Sequence, residues 1–266
     1  MLNAEPTIAA EEGHANVPPL VVAEQVIEQQ SRDDHESGDL FNSKGENDGK
    51  TNQSDLEAFR IRLANSAGLR EKAGLLIKKR YEWRGYDVDS PMVEEPDVIN
   101  LIAITDDKAV GTMTLRLDRP DRLLPADENF PDELKVLREQ GRRLSEPSKL
   151  AIDENTPKRV FAALIHIMYM YTKNIHDFTD WVIEVNPRHV MFYRRMLGFK
   201  PLGSERMCTR VNAPAVLLRL EMSYMQEQIQ QFGGLYEMHG KSSTFYHFMF
   251  PPKDEPGITG RLRNQG

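Results

Sequence analysis

Cysteine is nearly missing from this chain, since its 266 residues include only Cys208. One thiol excludes an intramolecular disulfide and any clustered-thiol zinc site. Cys208 lies in "MCTRVNAP", among strand-like residues, where a small buried side chain is expected rather than a nucleophile. Long apolar runs are missing too. There is no run of about 18 apolar residues and no charged-then-apolar amino terminus, so neither a membrane span nor a secretory signal is expected. The chain therefore reads as cytoplasmic. Carboxylate–histidine spacing for a metal is also absent. His166 and His176 lie ten residues apart around an apolar stretch, which suits packing or surface positions. No internal repeat is present.

Charge is present but uneven. Residues 1–55 hold 12 acids and 3 bases, a net −9, which leaves 29 acids and 31 bases, a net +2, for residues 56–266. The first segment is rich in Glu, Asp, Asn, Gly and Ser and poor in aromatics, so it cannot bury enough surface to offset chain entropy. Residues 1–53 are expected to be disordered. Within them "PPLVVAEQVIEQQ" (Pro18–Gln30) is either a solvated tail or a short helix formed on a partner. Over the whole chain, 39% hydrophobic residues can build a core.

Regular patterning begins near Leu56. In "FRIRLA", Phe59, Ile61 and Leu63 alternate with Arg60 and Arg62, the period of a half-buried strand. "SAGLREKAGLLIKKRYEWRGY" places Leu69, Ala73, Leu76 and Ile77 at helical spacing and stops at Gly85. "VINLIAIT" and "VGTMTLRLD", joined at Asp106 and Asp107, predict an antiparallel hairpin. A short helix near 132–140 leads to the strand "RLSEPSKLAID", then to an apolar helix from Lys158 to about Lys173. The strand "WVIEV" runs into "NPRHVMFYRRMLGF". After it come strands in "MCTRVNAP" and "AVLLRLEM", a helix over Met222–Met238 and an aromatic tail. This order predicts one α/β domain on a mixed, mostly antiparallel sheet flanked by helices, spanning 54–222, followed by a carboxyl-terminal helix and aromatic tail over 223–266.

The corner after "WVIEV" has two readings. Strand ends that feed helix starts gather unpaired N–H groups and converging side chains, which makes them binding corners. Asn186 and Pro187 also suit an ordinary capped turn.

The element order together with "NPRHVMFYRRMLGFKPLG" resembles the GCN5-related N-acyltransferase fold, in which an asparagine-led corner precedes a helix carrying "FY" and ending in "GF". Asn186, Phe192, Tyr193, Gly198 and Phe199 carry the match. The resemblance implies that the strand ending near Asn186 splays from the strand around Glu146–Ile152, and that the pantetheine arm of an acyl carrier lies in the gap. "GTMTLRL" and "SEPSKLAI" are similar to acyl-homoserine-lactone synthases, with Arg116 and Glu146 in matching positions and Lys149 where those enzymes have arginine. The acidic pair those enzymes place ahead of the hairpin is read as missing. A closer resemblance, over about Phe59–Met222, is to the bacterial long-chain N-acyl amino acid synthases. It rests on Tyr81–Tyr86, "SKLAI", "NPRHVMFYRRMLGF" and "VNAPAVLLRL".

That resemblance implies transfer of a long acyl chain from acyl carrier protein to the α-amine of an amino acid, with acyl-phosphopantetheine as co-substrate, no tightly bound cofactor and no metal. It also implies no nucleic-acid partner and contact with membranes only through the lipid product. The alternatives are an acyl-homoserine-lactone synthase and a silent acyl-chain or carrier-binding module. Glu146 is the candidate base for the substrate ammonium, with Glu184 in reserve, and either is otherwise a paired strand glutamate. Tyr193 is the candidate acid for the departing thiolate, or else an interface tyrosine. Arg116 suits a substrate carboxylate by bidentate pairing, with Lys149, Asn186 and His189 as further substrate contacts. Acetyl-coenzyme A enzymes of the fold cradle pyrophosphate on a glycine loop. Here the loop reads "DENTPKRVFAAL", without glycine, so a carrier's single phosphate is the better fit. Arg142, Arg143, Lys158 and Arg159 are the basic residues expected to meet the acidic carrier. The tail from Met222 through "FYHFMF" is either a wall or lid of an acyl tunnel or ordinary core packing.

Overall fold

A computed structural model describes residues 59–82, 92, 94–210, 212–238 and 244–264. The leader expected to be disordered, and Trp83 to Tyr86 of the tyrosine-rich motif, lie outside the described residues.

Strand β1 (Arg60–Leu63) shows the alternating exposure that its sequence predicts. Helix α1 (Ala67–Tyr81) starts at Ser66, whose side chain accepts from the Leu69 N–H, and it buries Ala73, Leu76, Ile77 and Tyr81. Strands β2 (Val98–Thr105) and β3 (Lys108–Leu117) form the expected hairpin. Its two-residue turn holds Asp106 at φ 46° and Asp107 at φ 63°. Positive φ at both positions matches the twist of the flanking strands, and aspartate tolerates it better than most residues.

A 3₁₀ turn (Pro125–Glu128) and α2 (Pro131–Glu139) lead to β4 (Leu144–Ile152), which is buried throughout. Helix α3 (Lys158–Tyr169) passes into a π-helical turn, Met170–Ile175. Then come β5 (Asp180–Val185), a second 3₁₀ turn (Pro187–His189) and α4 (Val190–Leu197). Strands β6 (Lys200–Pro201), β7 (Arg206–Cys208) and β8 (Ala213–Glu221) precede α5 (Met222–Phe232), and the chain closes with α6 (Glu255–Arg263). The helix expected over Met222–Met238 thus ends early. The chain turns at Gly233 and Gly234, where Gly234 takes φ +79°.

The sheet order is β1-β2-β3-β4-β5-β8-β6, with β7 also on β8. Neighbours are antiparallel except for β4 and β5. Helix α3 covers one face so closely that a Cβ on Gly111 would lie 2.9 Å from Leu164 Cδ1 and 3.2 Å from Val160 Cγ1. On the other face a smaller core joins Leu124, Ala126, Phe130, Leu134 and Leu137 to Leu144 of β4, Val182 of β5 and Leu217 of β8. Phe245, Tyr246 and Met249 belong to the main core. The Tyr246 hydroxyl donates to Leu197 O at 2.7 Å, and Phe245 N–H donates to Met196 O at 3.0 Å. His166 of α3 completes the tie: it accepts at Nδ1 from Phe250 N–H, and its Nε2 lies 3.1 Å from Glu255 Oε1.

Candidate active site

Among the described residues the one parallel pairing is also the shortest of the central ladders. β4 and β5 pair at Leu144–Asp180 and Ser145–Trp181 and then separate, while β4 stays on β3 up to Ile152 and β5 stays on β8 up to Val185. The expected splay is therefore present. It leaves the facing backbone N–H and C=O groups of the two strands without a ladder partner. At the base of the wedge Asp180 is fully buried. Arg142 and Arg219 donate to it, Arg142 at 2.6 and 3.0 Å and Arg219 at 2.7 Å. Burial would raise the Asp180 pKa, but the hydrogen bonds from Arg142, Thr179 and Arg219 bring it below the usual carboxylate range.

Glu146 stands just past the last paired residue. Alternation along the strands puts it on the same face as Leu144, and puts Glu184 of β5 on that face beside Val182. Both carboxylates are buried. Glu146 Oε2 accepts from Ala126 N–H at 2.9 Å. Burial pushes its pKa up to about 8; Ala126 N–H and Arg210 oppose the rise, and Glu184 and Asp127 add to it. Glu184 accepts from Asn129 Nδ2 at 2.9 Å and from Arg210, whose guanidinium also donates to Pro125 O and, at 2.9 Å, to Glu128. Two buried carboxylates and one arginine are thus gathered at the wedge. One carboxylate is ion-paired, while the other faces a single backbone donor.

Across the β3–β4 ladder Arg116 is the register partner of Glu146. Its Nη1 donates to Glu95 and Asp97 at 3.1 Å each, and Arg122 joins the same acids. The acidic pair read as missing ahead of the hairpin is therefore there. Glu95 and Asp97 sit just before β2 on either side of Pro96, with Glu94 directly ahead of Glu95, so the acids are visible in the sequence while their convergence on Arg116 is not. Lys149 occupies a β-bulge at φ 48°, where the β3–β4 register shifts between Thr112 and Thr114. It is buried, and burial first, then Arg116, lowers its ammonium pKa against the pull of Glu95.

Asn186 caps the corner by accepting from Arg188 N–H at 3.2 Å, and His189 is buried one residue beyond Arg188. Tyr193 is buried against Phe192 and Phe199. Its hydroxyl has no hydrogen-bond partner among the described residues, and burial raises its pKa.

The four basic residues do not form one patch. Arg142 and Arg143 precede the nine-residue β4, which is about 30 Å long, and Lys158 and Arg159 follow it. Arg142 is committed to Asp180 and Glu221. Arg143 is exposed, with Asp177 and the Phe178 ring beside it. Arg159 stacks over the Tyr236 ring with 4.6 Å to the centroid. In the glycine-free loop Asn155 takes the left-handed conformation at φ 60°. Asp153 and Glu154 pair there with Lys79 and Arg80 of α1 at 2.7 and 2.8 Å.

Sequence reasoning missed Arg210, Asn129 and the Pro125–Glu128 turn. Arg210 did carry a signal, as a lone cation in the otherwise uncharged stretch "MCTRVNAPAVLL".

A splayed β4–β5 pair, a buried carboxylate at the wedge and the Asn186 corner define an N-acyltransferase of the GCN5-related fold. The family model of the N-acyl amino acid synthase FeeM matches residues 72–221. The chain belongs to that family. The solved structure of FeeM from uncultured soil microbes is 24% identical, covering 65% of this chain and 94% of that one with a TM-score of 0.58. The CoA-dependent acyl-homoserine lactone synthase BjaI is 15% identical, covering 77% and 98% at a TM-score of 0.47. A probable acetyltransferase from Staphylococcus epidermidis ATCC 12228 is 16% identical, covering 62% and 99% at 0.43. No curated protein sequence matches the chain. Among the described residues no helix is long and apolar enough to cross a membrane.

Proposed function

We propose that the protein moves a long-chain acyl group from the phosphopantetheine of an acyl carrier protein to the α-amine of an amino acid. The observation that carries this reading is Glu146, a buried carboxylate at the open end of the splay with its pKa pushed up to about 8. An α-ammonium is unreactive until it loses a proton, and a base poised near neutral pH takes that proton most effectively. The free amine then attacks the thioester carbonyl carbon. A C–N bond forms while unpaired N–H groups of the splayed strands stabilise the oxyanion. As the C–S bond breaks, Tyr193 protonates the thiolate and recovers the proton that the nitrogen sheds. Arg116 and Lys149 are the groups for the acceptor carboxylate, with Asn186 and His189 at the corner.

The donor assignment rests on chemistry around the β4–α3 loop. Asp153 and Glu154 of that loop are engaged by Lys79 and Arg80, and the loop has no glycine with which to turn its backbone N–H groups onto a pyrophosphate. Lys158 and Arg159 suffice for one phosphate. A second reading, lactone synthesis, is favoured by one observation, the Glu95–Asp97 pair on Arg116. Mass spectrometry of lipids from cells expressing the protein tests both. An N-acyl amino acid is expected; an acyl lactone would move the assignment to the second reading, and no new lipid would point to a binding module.

A further inference from the structure

The turn that supplies Ala126 N–H to Glu146 is held from both sides by arginines. On one side Arg210 donates to Pro125 O and Glu128. On the other, Arg138 of α2 makes four hydrogen bonds: to Asp127 through Nη1 and Nη2 at 2.6 Å each, and to Asp118 through Nε and Nη2 at 2.6 and 3.0 Å. Asp127 in turn accepts from Leu124 N–H at 2.9 Å, which closes the turn. The Asp127 and Asp118 side chains are 8% and 12% exposed, so neither has enough water to stand charged without the guanidinium. The chain of contact runs Asp118, Arg138, Asp127, Ala126 N–H, Glu146.

We propose that Arg138 and Asp127 are positioning residues for Glu146: they fix the Pro125–Glu128 turn so that its N–H meets the carboxylate, and their ion pair shields Glu146 from the charge of Asp127. This rests on Glu146 being the base. The charged groups facing Glu146 are Arg210 from the loop after β7, Glu184 from β5, Asp127 from the turn and its register partner Arg116 from β3. Of these, Asp127 is paired with an arginine from a helix, Arg138 of α2, which it shares with Asp118. Arg138 touches neither carboxylate of the pocket, so it acts through the turn alone.

Two substitutions should act with opposite sign. Arg138→Gln uncovers the Asp127 charge and loosens the Ala126 N–H, so Glu146 should hold its proton to higher pH, by roughly one unit. Asp127→Asn keeps the size and the cap but removes the charge, so the Glu146 midpoint should fall. Arg138→Lys keeps the charge and should stay nearer to the parent than Arg138→Gln. The Glu146 carboxyl is followed directly by carbon NMR of glutamate-labelled protein, assigned with Glu146→Gln, and in parallel through the pH profile of kcat/KM. Opposite shifts in the two variants support the proposal. An unmoved Glu146 midpoint in Arg138→Gln, or shifts of the same sign in both, would overturn it. The carboxyl titration separates this result from the reading on which it rests. Were Glu146 not the base, the NMR midpoints would still move while activity ignored them.

Discussion

Glu146 is the residue whose environment asks most of the fold. Its pKa of about 8 in the folded chain, against 4.5 for an ordinary glutamate, means that the native state holds a proton the unfolded chain has lost. Between those values stability falls as pH rises, because folding must then take up a proton that the solution supplies less and less readily. Glu146→Gln should remove this decline. Melting midpoints of parent and variant should lie nearest each other below about pH 4, and the variant should gain on the parent up to pH 8 to 9, as thermal melts across pH would show. Arg210 carries the opposite burden. Its side chain is 9% exposed and that of Glu184 is 1% exposed, so Arg210→Met strands a buried carboxylate and should cost about 3–5 kcal/mol in denaturant unfolding. Isolated residues were only partly legible in the sequence. Glu146 and Glu184 stood out as acids in apolar strands, and alternation placed each on a face. Which acid gained an arginine was not legible, since Arg210 reaches Glu184 from 26 residues away through an irregular loop.

At the level of elements, the sheet was readable because β1 alternates with period 2, β2 to β5 are short runs rich in apolar residues, and the hairpin turn is set by Asp106 and Asp107. The splay was readable through the resemblance carried by the Asn186 corner. Two features were not. The bulge at Lys149 depends on a register slip between β3 and β4, which strand periodicity does not encode. The end of α5 at Phe232 depends on Gly233 and Gly234, and two glycines inside a helical pattern are a weak stop signal against the apolar residues that follow. Another glycine sets the α4 end. Gly198 holds φ +81°, and a Cβ there would lie 2.2 Å from the Tyr224 ring of α5. Gly198→Ala should therefore lower stability by at least ~1 kcal/mol from the left-handed backbone alone, with the displaced tyrosine adding to it. Differential scanning calorimetry reads the loss. A midpoint equal to the parent's would show that α4 and α5 tolerate a shifted contact.

Over the whole molecule, charge is divided between an acidic leader and a near-neutral remainder, and within that remainder the basic residues serve different ends. Arg142 locks the base of the wedge, so Arg142→Ala should destabilise the protein and leave donor preference unchanged. Lys158 and Arg159 stand at the start of α3, beyond the open end of β4. Alanine at either should lower kcat/KM for an acyl carrier protein donor and flatten its salt dependence, because even a half-buried basic edge speeds encounter with an acidic partner. Equal efficiency with acyl coenzyme A, insensitive to salt, would contradict the carrier reading. The central claim concerns the chemical step, and single-turnover amide formation from a pre-bound acyl donor, measured against pH for the parent and Glu146→Gln, tests it most directly. The account predicts a rate that rises with pH to a midpoint near 8 in the parent. In the variant the rate should be lower by about 10²-fold or more, with that rise abolished. A variant that forms the amide within a few-fold of the parent across the range, with the same pH dependence, would show that Glu146 is not the base.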